Sequence, residues 1–145
     1  MIRDFYRSGM DTLSIESKGI IEINDLLTRI DNSTNITDIQ VLFGDLAPIG
    51  INTPIGLYVS ADSKNSKMNT VYAGQSGLNL PDRDYYLNDN PKFQDIRSSY
   101  KNHINKMMEM AGDSSSPGQA ILDLETAIAQ ISWSRIERRD PNKRY

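Results

Sequence analysis

The feature that most restricts the fold of this chain is a change in the spacing of its apolar residues. Between Pro91 and Gly112 they recur every three to four positions, which predicts an amphipathic helix of about 20 residues, roughly 30 Å long. Between Ile55 and Gln75 the spacing is two, on either side of a polar turn at 62–67, which predicts a β-hairpin. We therefore expect a mainly α (α+β) fold, a multi-helix domain with one small antiparallel β-hairpin.

Helical spacing also marks the first part of the chain. Before residue 31 it predicts short helices that break at Gly9 and Gly19. Their apolar residues are expected to lie in the core. Thr37 is the expected N-cap of the next helix, since a hydroxyl at that position can accept a hydrogen bond from the first free backbone N–H groups.

A last helix is expected after the linker at 113–118. Apolar residues lie on two faces, one of which extends through Trp133 to Ile136, so this helix should pack between neighbours. Arg135, Arg138 and Arg139 would then fall in its last turns, where positive charge complements the helix dipole.

The composition argues against several kinds of site. The chain has no Cys and a single His, His103, so thiol catalysis, thiolate metal sites and a zinc site built from two or three histidines find no residues here. His103 shares an apolar stripe with Tyr100 and Met107, which predicts a packed imidazole. With 16 Lys and Arg against 19 Asp and Glu, and no basic block, no nucleic-acid partner is expected. Neither a membrane segment nor a signal peptide is expected.

Asp82 and Asp84 are the candidates for a pair of catalytic carboxylates. A hydrolase that used them would lose activity on Asp84→Asn without losing thermal stability. Roles in a turn or a helix cap are favoured, because the spacing of a metal loop is missing. Tyr85 and Tyr86 could stack on a ligand, but packing is favoured for them as well. The residues alone thus predict a helical domain without an active site of its own.

Five segments, in order, resemble the neprilysin family of zinc metallopeptidases, which includes the endothelin-converting enzymes and bacterial oligopeptidases. Residues 5–11 are similar to the family's F/Y-Y-x-x-C/G-M-D/N, and residues 62–66 to its D-D-K-N-S turn. Residues 75–86 match Q-x-G-L-x-L-P-x-R-D-Y-Y, the most specific of the five. Residues 124–129 match L-E-x-x-I-A, and residues 139–145 match R-D-P-x-K-x-Y.

The resemblance implies that residues 1–145 are a single partial domain, part of the N-terminal helical lobe of a two-lobed zinc metalloendopeptidase. In the family, zinc and the general base belong to an H-E-x-x-H helix of the catalytic lobe, and nothing here matches it. The resemblance therefore places zinc in the parent protein and gives this fragment no metal ligand, no catalytic residue and no activity alone. The implied partners are the missing catalytic lobe and oligopeptide substrates, which the family hydrolyses in a cavity that the helical lobe covers.

Within the matching segments, several polar and aromatic residues are candidates for structural or interface importance. Their polar groups are expected to dock the 75–86 loop against its neighbours, and Arg139 is expected to pair with Asp140 at a helix end. The candidates are Gln75, Arg83, Asp84, Tyr85, Tyr86, Arg139 and Asp140.

The sequence also indicates what kind of protein this chain comes from. Gly9 stands where the animal enzymes usually have a disulfide Cys, which points to a bacterial-type relative. The chain opens inside a family helix and ends at Tyr145, just before an expected Asn, so it resembles an excised fragment. An extracytoplasmic parent, periplasmic, secreted or membrane-tethered, is favoured over a cytoplasmic one. The alternative is a stand-alone helical binding or scaffold module without catalysis.

Overall fold

The computed structural model describes residues 1–140. The chain divides into two compact units, one formed by Met1–Gly44 and one that begins at Asp45. Residues 141–145, which complete the last family-like segment, lie outside the described residues.

Short helices make up the first unit. They are α1 (Ile2–Met10), α2 (Thr12–Lys18), a 3-10 helix (Ile21–Ile23), α3 (Asn24–Asp31) and α4 (Ile36–Leu46), whose last residues pass into the second unit. The expected break at Gly19 is present, with φ of +54°. The expected break at Gly9 is wrong: Gly9 lies inside α1, and the chain turns at Asp11, whose carboxylate accepts the N–H of Ser14 at 3.1 Å and so caps α2.

The cap of α4 also differs from the expectation. Asn35, and not Thr37, precedes the helix, and its Oδ1 accepts the N–H groups of Thr37 at 2.9 Å and Asp38 at 3.1 Å. A side-chain oxygen reaches the N–H groups two and three positions ahead of it, and those two groups belong to the first turn of α4. Asn35 and Thr37 are both residue types that favour the N-cap position, and the structure places Asn35 there.

The apolar stripe of α1 is not in a core. Ile2 is 88% exposed, Phe5 83% and Tyr6 66%, so the expectation that these residues are buried is wrong for this chain. Helical spacing determines that the three side chains share a face. It does not determine whether anything covers that face.

The second unit contains the hairpin and the long helices. Its elements are a 3-10 helix (Ala47–Ile49), β1 (Ile55–Ala61), β2 (Asn69–Gln75), α5 (Asp84–Leu87), α6 (Pro91–Met110), α7 (Gly118–Ile131) and a 3-10 helix (Glu137–Arg139). β1 and β2 pair antiparallel, with Tyr58 opposite Tyr72 and their rings stacked at a centroid distance of 5.2 Å. This confirms the mainly helical fold with one small hairpin.

The long helices follow the sequence signals at most of their ends. α6 starts at Pro91, where Asn90 accepts the N–H of Lys92 at 3.0 Å. α7, however, stops at Ile131, because Ser132 adopts an extended conformation with ψ of 145°. Trp133 and Ile136 therefore do not continue the helix, and that expectation is wrong. His103 lies on α6 as expected but is exposed, so the expectation of a packed imidazole is also wrong.

The core of the second unit forms where α5 meets α6 and α7. Tyr86 is 4% exposed, Leu122 8% and Ala129 0%, and residues of the loop before α5 pack against them. Within residues 1–140, no helix combines the length and apolarity needed to cross a bilayer.

Close packing of α6 against α7 requires a glycine at position 118. The N–H of Gly118 donates to Oδ1 of Asn105 at 2.7 Å, and a Cβ added there would lie 2.6 Å from the carbonyl oxygen of Lys101. Since that oxygen belongs to the helix backbone, it cannot move aside without disturbing α6.

We therefore expect Gly118→Ala to lower the free energy of unfolding by about 1–3 kcal/mol, the usual cost of overpacking. Gly44→Ala is the matched control, because Gly44 lies in α4 with nothing within 4 Å of an added Cβ. It should raise stability by about 0.5–1 kcal/mol through the lower helix propensity of glycine. Urea denaturation followed by circular dichroism measures both, and equal effects would contradict the steric explanation.

Candidate functional site: a docked loop and a buried carboxylate

The segment 75–86 runs from the last residue of β2 into α5, and we call it the 75–86 loop. Two of its side chains bind the backbone that leaves α7. Gln75 forms a pair of hydrogen bonds with Trp133: its Nε2 donates to the carbonyl oxygen at 3.1 Å, and its Oε1 accepts the N–H at 2.7 Å. Nη1 of Arg83 donates to the carbonyl oxygen of Ser132 at 2.8 Å. Because α7 ends at Ile131, these backbone groups have no helical partners, and the loop supplies them.

An ion pair strengthens the same junction. A carboxylate oxygen of Asp82, whose side chain is 8% exposed, lies 2.6 Å from Nη2 of Arg135. The other oxygen of Asp82 accepts the N–H of Asp84 at 2.9 Å, at the start of α5. Asp82 thus acts as an ion-pair partner and turn former, while Asp84 is exposed. This arrangement is not a pair of facing carboxylates, so it gives no support to the hydrolase alternative.

A glycine allows the loop to leave β2 in the observed direction. Gly77 has φ of +82°, and a Cβ there would lie 2.8 Å from Cα of Pro54. Next to it, the N–H of Ser76 donates to the carbonyl oxygen of Pro54 at 3.2 Å. Only glycine combines the left-handed conformation with this backbone approach.

A buried carboxylate ties the other end of the loop to the helices. Glu125 of α7 is 4% exposed and accepts three hydrogen bonds. They come from Nδ2 of Asn79 at 2.6 Å, the hydroxyl of Tyr86 at 2.6 Å and the hydroxyl of Tyr100 at 2.9 Å. The Tyr86 hydroxyl also accepts the N–H of Leu80 at 2.9 Å. We call Asn79, Tyr86, Tyr100 and Glu125 the carboxylate cluster.

The environment of the cluster holds its tyrosines in the protonated form. Burial, and then the hydrogen bond to Glu125, raises the pKa of Tyr100 to about 12. The same two causes raise the pKa of Tyr86 well above its ordinary value. A phenolate beside a buried carboxylate would place two negative charges together, so both hydroxyls remain donors over the physiological pH range. The chemistry of the cluster is therefore structural: a carboxylate held by neutral donors.

The structure separates the candidate residues into groups. Gln75 and Arg83 bind the segment after α7, Tyr86 belongs to the carboxylate cluster, and Asp84 begins α5. The ring of Tyr85 packs edge to face on Phe93 at a centroid distance of 5.0 Å.

The backbone N–H groups of Arg139 and Asp140 form hydrogen bonds within their own segment and not with the 75–86 loop. The N–H of Arg139 donates to the carbonyl oxygen of Ile136, and that of Asp140 to the carbonyl oxygen of Glu137. These bonds close the 3-10 helix at Glu137–Arg139. The ion pair between Arg139 and Asp140 stays a prediction.

Glu125, Asn79 and Tyr100 were not among the candidates. The sequence did carry a signal for Glu125, since this residue lies three positions after Leu122 and four before Ala129, on the buried face of α7. A carboxylate on an apolar stripe needs hydrogen-bond donors. Which residues donate depends on segments 25 and 46 residues away, and no local pattern indicates them.

The described residues do not fit a zinc ion. Residues 1–140 contain no group of three His, Cys, Asp or Glu side chains that could hold a metal. Both oxygens of Glu125 are already engaged by neutral donors, and His103 is exposed on α6.

We expect Glu125→Ala to lower the free energy of unfolding by roughly 2–5 kcal/mol, because two tyrosine hydroxyls lose their acceptor in a buried setting. Asp123→Ala on the same helix is the control. Asp123 is exposed, and its carboxylate accepts a hydrogen bond from Nε2 of Gln119 at 2.8 Å on the surface of the helix, so the change should stay within about 0.5 kcal/mol. Urea denaturation of both variants measures the difference, and a mild effect of Glu125→Ala would refute the role of the cluster.

The raised pKa of Tyr100 predicts alkaline instability. In the unfolded chain a tyrosine loses its proton near its ordinary pKa of 10.0, whereas the folded protein keeps the proton until about pH 12. The stabilisation is complete below pH 10 and is lost as pH rises through this interval. Tyr100→Phe should make the fall in unfolding free energy between pH 10 and 12 less steep. Denaturation curves at a series of pH values test this, and an unchanged slope would count against it.

Comparison with known proteins gives a consistent picture. The family model described as peptidase family M13 matches residues 1–145. Human endothelin-converting enzyme 1 is 31% identical over 97% of this chain and 20% of its own length. The rat enzyme is 44% identical over 61% of this chain and 12% of its own length. Neprilysin-11 of Caenorhabditis elegans is 25% identical over 100% of this chain and 20% of its own length.

Solved structures show the same relationship. The chain is similar to the zinc metalloprotease Zmp1 of Mycobacterium tuberculosis in complex with an inhibitor, with a TM-score of 0.85 and 31% identity. The open state of Zmp1 gives a TM-score of 0.84. The alignments cover 96% of this chain and 22% of Zmp1, so the chain spans about a fifth of that protein. Since the family model matches the whole chain, this protein belongs to peptidase family M13, to which the resemblance with the neprilysins had pointed.

Proposed function

We propose that this chain is part of a zinc-dependent metalloendopeptidase that hydrolyses oligopeptides, and that it contributes to the helical lobe covering the cleft. The observation that carries the proposal is the match of the whole chain to peptidase family M13, together with a TM-score of 0.85 to a zinc metalloprotease. The alternative of a stand-alone binding module is not favoured, since the family match and the relatives point to a zinc metallopeptidase.

In this proposal the chain provides structure and the rest of the parent provides chemistry. The described residues hold no metal-binding group, and their buried carboxylate is occupied by Asn79, Tyr86 and Tyr100. Zinc would be bound elsewhere in the parent, where it would polarise the peptide carbonyl and activate water. The residues of this chain would shape the cleft and keep water out of it. The isolated chain would be inert, and its partners would be the catalytic lobe and oligopeptides.

The proposal predicts a division of activity between the parent and this chain. The full-length parent should hydrolyse oligopeptides, lose that activity on chelation and regain it with zinc. The isolated 145 residues should give no hydrolysis with or without zinc. A fluorogenic peptide assay on both proteins measures this, with the parent's H-E-x-x-H glutamate changed to alanine as the inactive control. Hydrolysis by the isolated chain that resists chelation would overturn the proposal.

A further inference from the structure

A cavity of about 1010 Å³ lies in the second unit, between the β-hairpin and the segment that leaves α7. We call it the hairpin cleft. Its volume slightly exceeds the usual range for ligand pockets, about 300–1,000 Å³, so it has room for several side chains at once. The bonds from Gln75 to Trp133 form part of its wall and hold the two sides together.

The apolar side chains of the cleft are open to solvent. Ile131, at the end of α7, is 84% exposed, Ile55 is 62% exposed and Trp133 is 41% exposed. Tyr58 of β1, which also lines the cleft, is 50% exposed. Large apolar side chains that lie this exposed around one cleft mark a place that another surface covers.

One side of the cleft is positively charged. Arg135, Arg138 and Arg139 all line it, and no Asp or Glu is among the described residues that do. Arg135 is neutralised by its ion pair with Asp82 at 2.6 Å. Arg138 and Arg139 are exposed, and each adds a positive charge to the lining of the cleft. The partner surface that complements it combines apolar side chains with carboxylates.

We propose that the hairpin cleft is the docking surface for an acidic, partly apolar segment of the catalytic lobe of the same polypeptide. This inference rests on the proposed function. The occupant follows from charge complementarity and from the amount of chain outside this structure, since this chain covers only 20% of the human relative and 22% of Zmp1. Apolar side chains of the segment lie against Ile55, Ile131 and Trp133, and its carboxylates face Arg138 and Arg139. A lobe of the same protein keeps the apolar surface covered at all times, which a transient substrate does not.

The test uses the full-length parent with a photo-reactive benzoylphenylalanine in place of Ile131. Irradiation and mass spectrometry should identify a cross-link to a peptide from beyond this chain that contains Asp or Glu. The matched control carries the same group in place of Leu124, which is 62% exposed on the same helix but does not line the cleft. Position 124 should not capture that peptide, and capture of the same peptide from both positions would overturn the proposal.

Charge changes test the role of the arginines in the same experiment. Arg138→Glu combined with Arg139→Glu should remove most of the cross-linked product from position 131. Arg138→Lys combined with Arg139→Lys should retain it, since both charges remain. A yield that does not respond to charge reversal, a cross-link only to a second copy of the protein, a cross-link to added oligopeptide, or no cross-link at all would each overturn the proposal.

The proposed function is measured separately on the wild-type parent. Zinc-dependent hydrolysis without the cross-link would disprove the docking surface and leave the proposed function intact. The charge-sensitive cross-link in a parent without zinc-dependent hydrolysis would support the docking surface and disprove the proposed function.

Discussion

The buried carboxylate of Glu125 is the interaction on which the rest of the second unit depends. It is the point where the loop before α5, helix α6 and helix α7 meet through side-chain hydrogen bonds. A carboxylate with 4% exposure is tolerated only when donors replace the lost water. The donors come from different segments, so their hydrogen bonds to this one carboxylate couple the positions of the segments. Apolar packing around Tyr86 and Leu122 adds stability to this junction, but the hydrogen bonds select a unique arrangement.

From that junction the loop reaches the segment that follows α7. The end of the helix leaves backbone groups without partners, and Gln75 and Arg83 satisfy them. Asp82 with Arg135 adds an ion pair in which the carboxylate is buried and the guanidinium is partly exposed. The backbone from residue 132 to residue 135 is therefore fixed although it belongs to no helix or strand. The cleft beside the hairpin owes its shape to this fixed segment.

Membership of peptidase family M13 gives these features a common interpretation. A part of a larger protein is expected to combine a well-satisfied polar interior with apolar surfaces that remain open, because its partners lie elsewhere in the polypeptide. Both are present here: the carboxylate cluster is complete, while Ile55, Ile131 and Trp133 are exposed. Under the proposed function, the open surfaces are where the rest of the parent protein would dock, and the closed cluster would support this region.

The sequence by itself determined the positions of the hairpin and of the long helix α6, and it identified the family. Period-two spacing located the hairpin, Pro91 located the start of α6, and the ordered segments identified the neprilysin-like relationship, because these signals are local or additive. It failed where long-range contacts decide. Ser132 leaves the helix, and Arg83, 49 residues earlier, donates a hydrogen bond to its carbonyl oxygen. Phe5 is 83% exposed, because none of the described residues 1–140 buries its side chain. Glu125 had a visible signal, a charge on an apolar stripe, but only the tertiary structure could supply its donors, since hydrogen bonds across 25 to 46 residues leave no trace in local spacing.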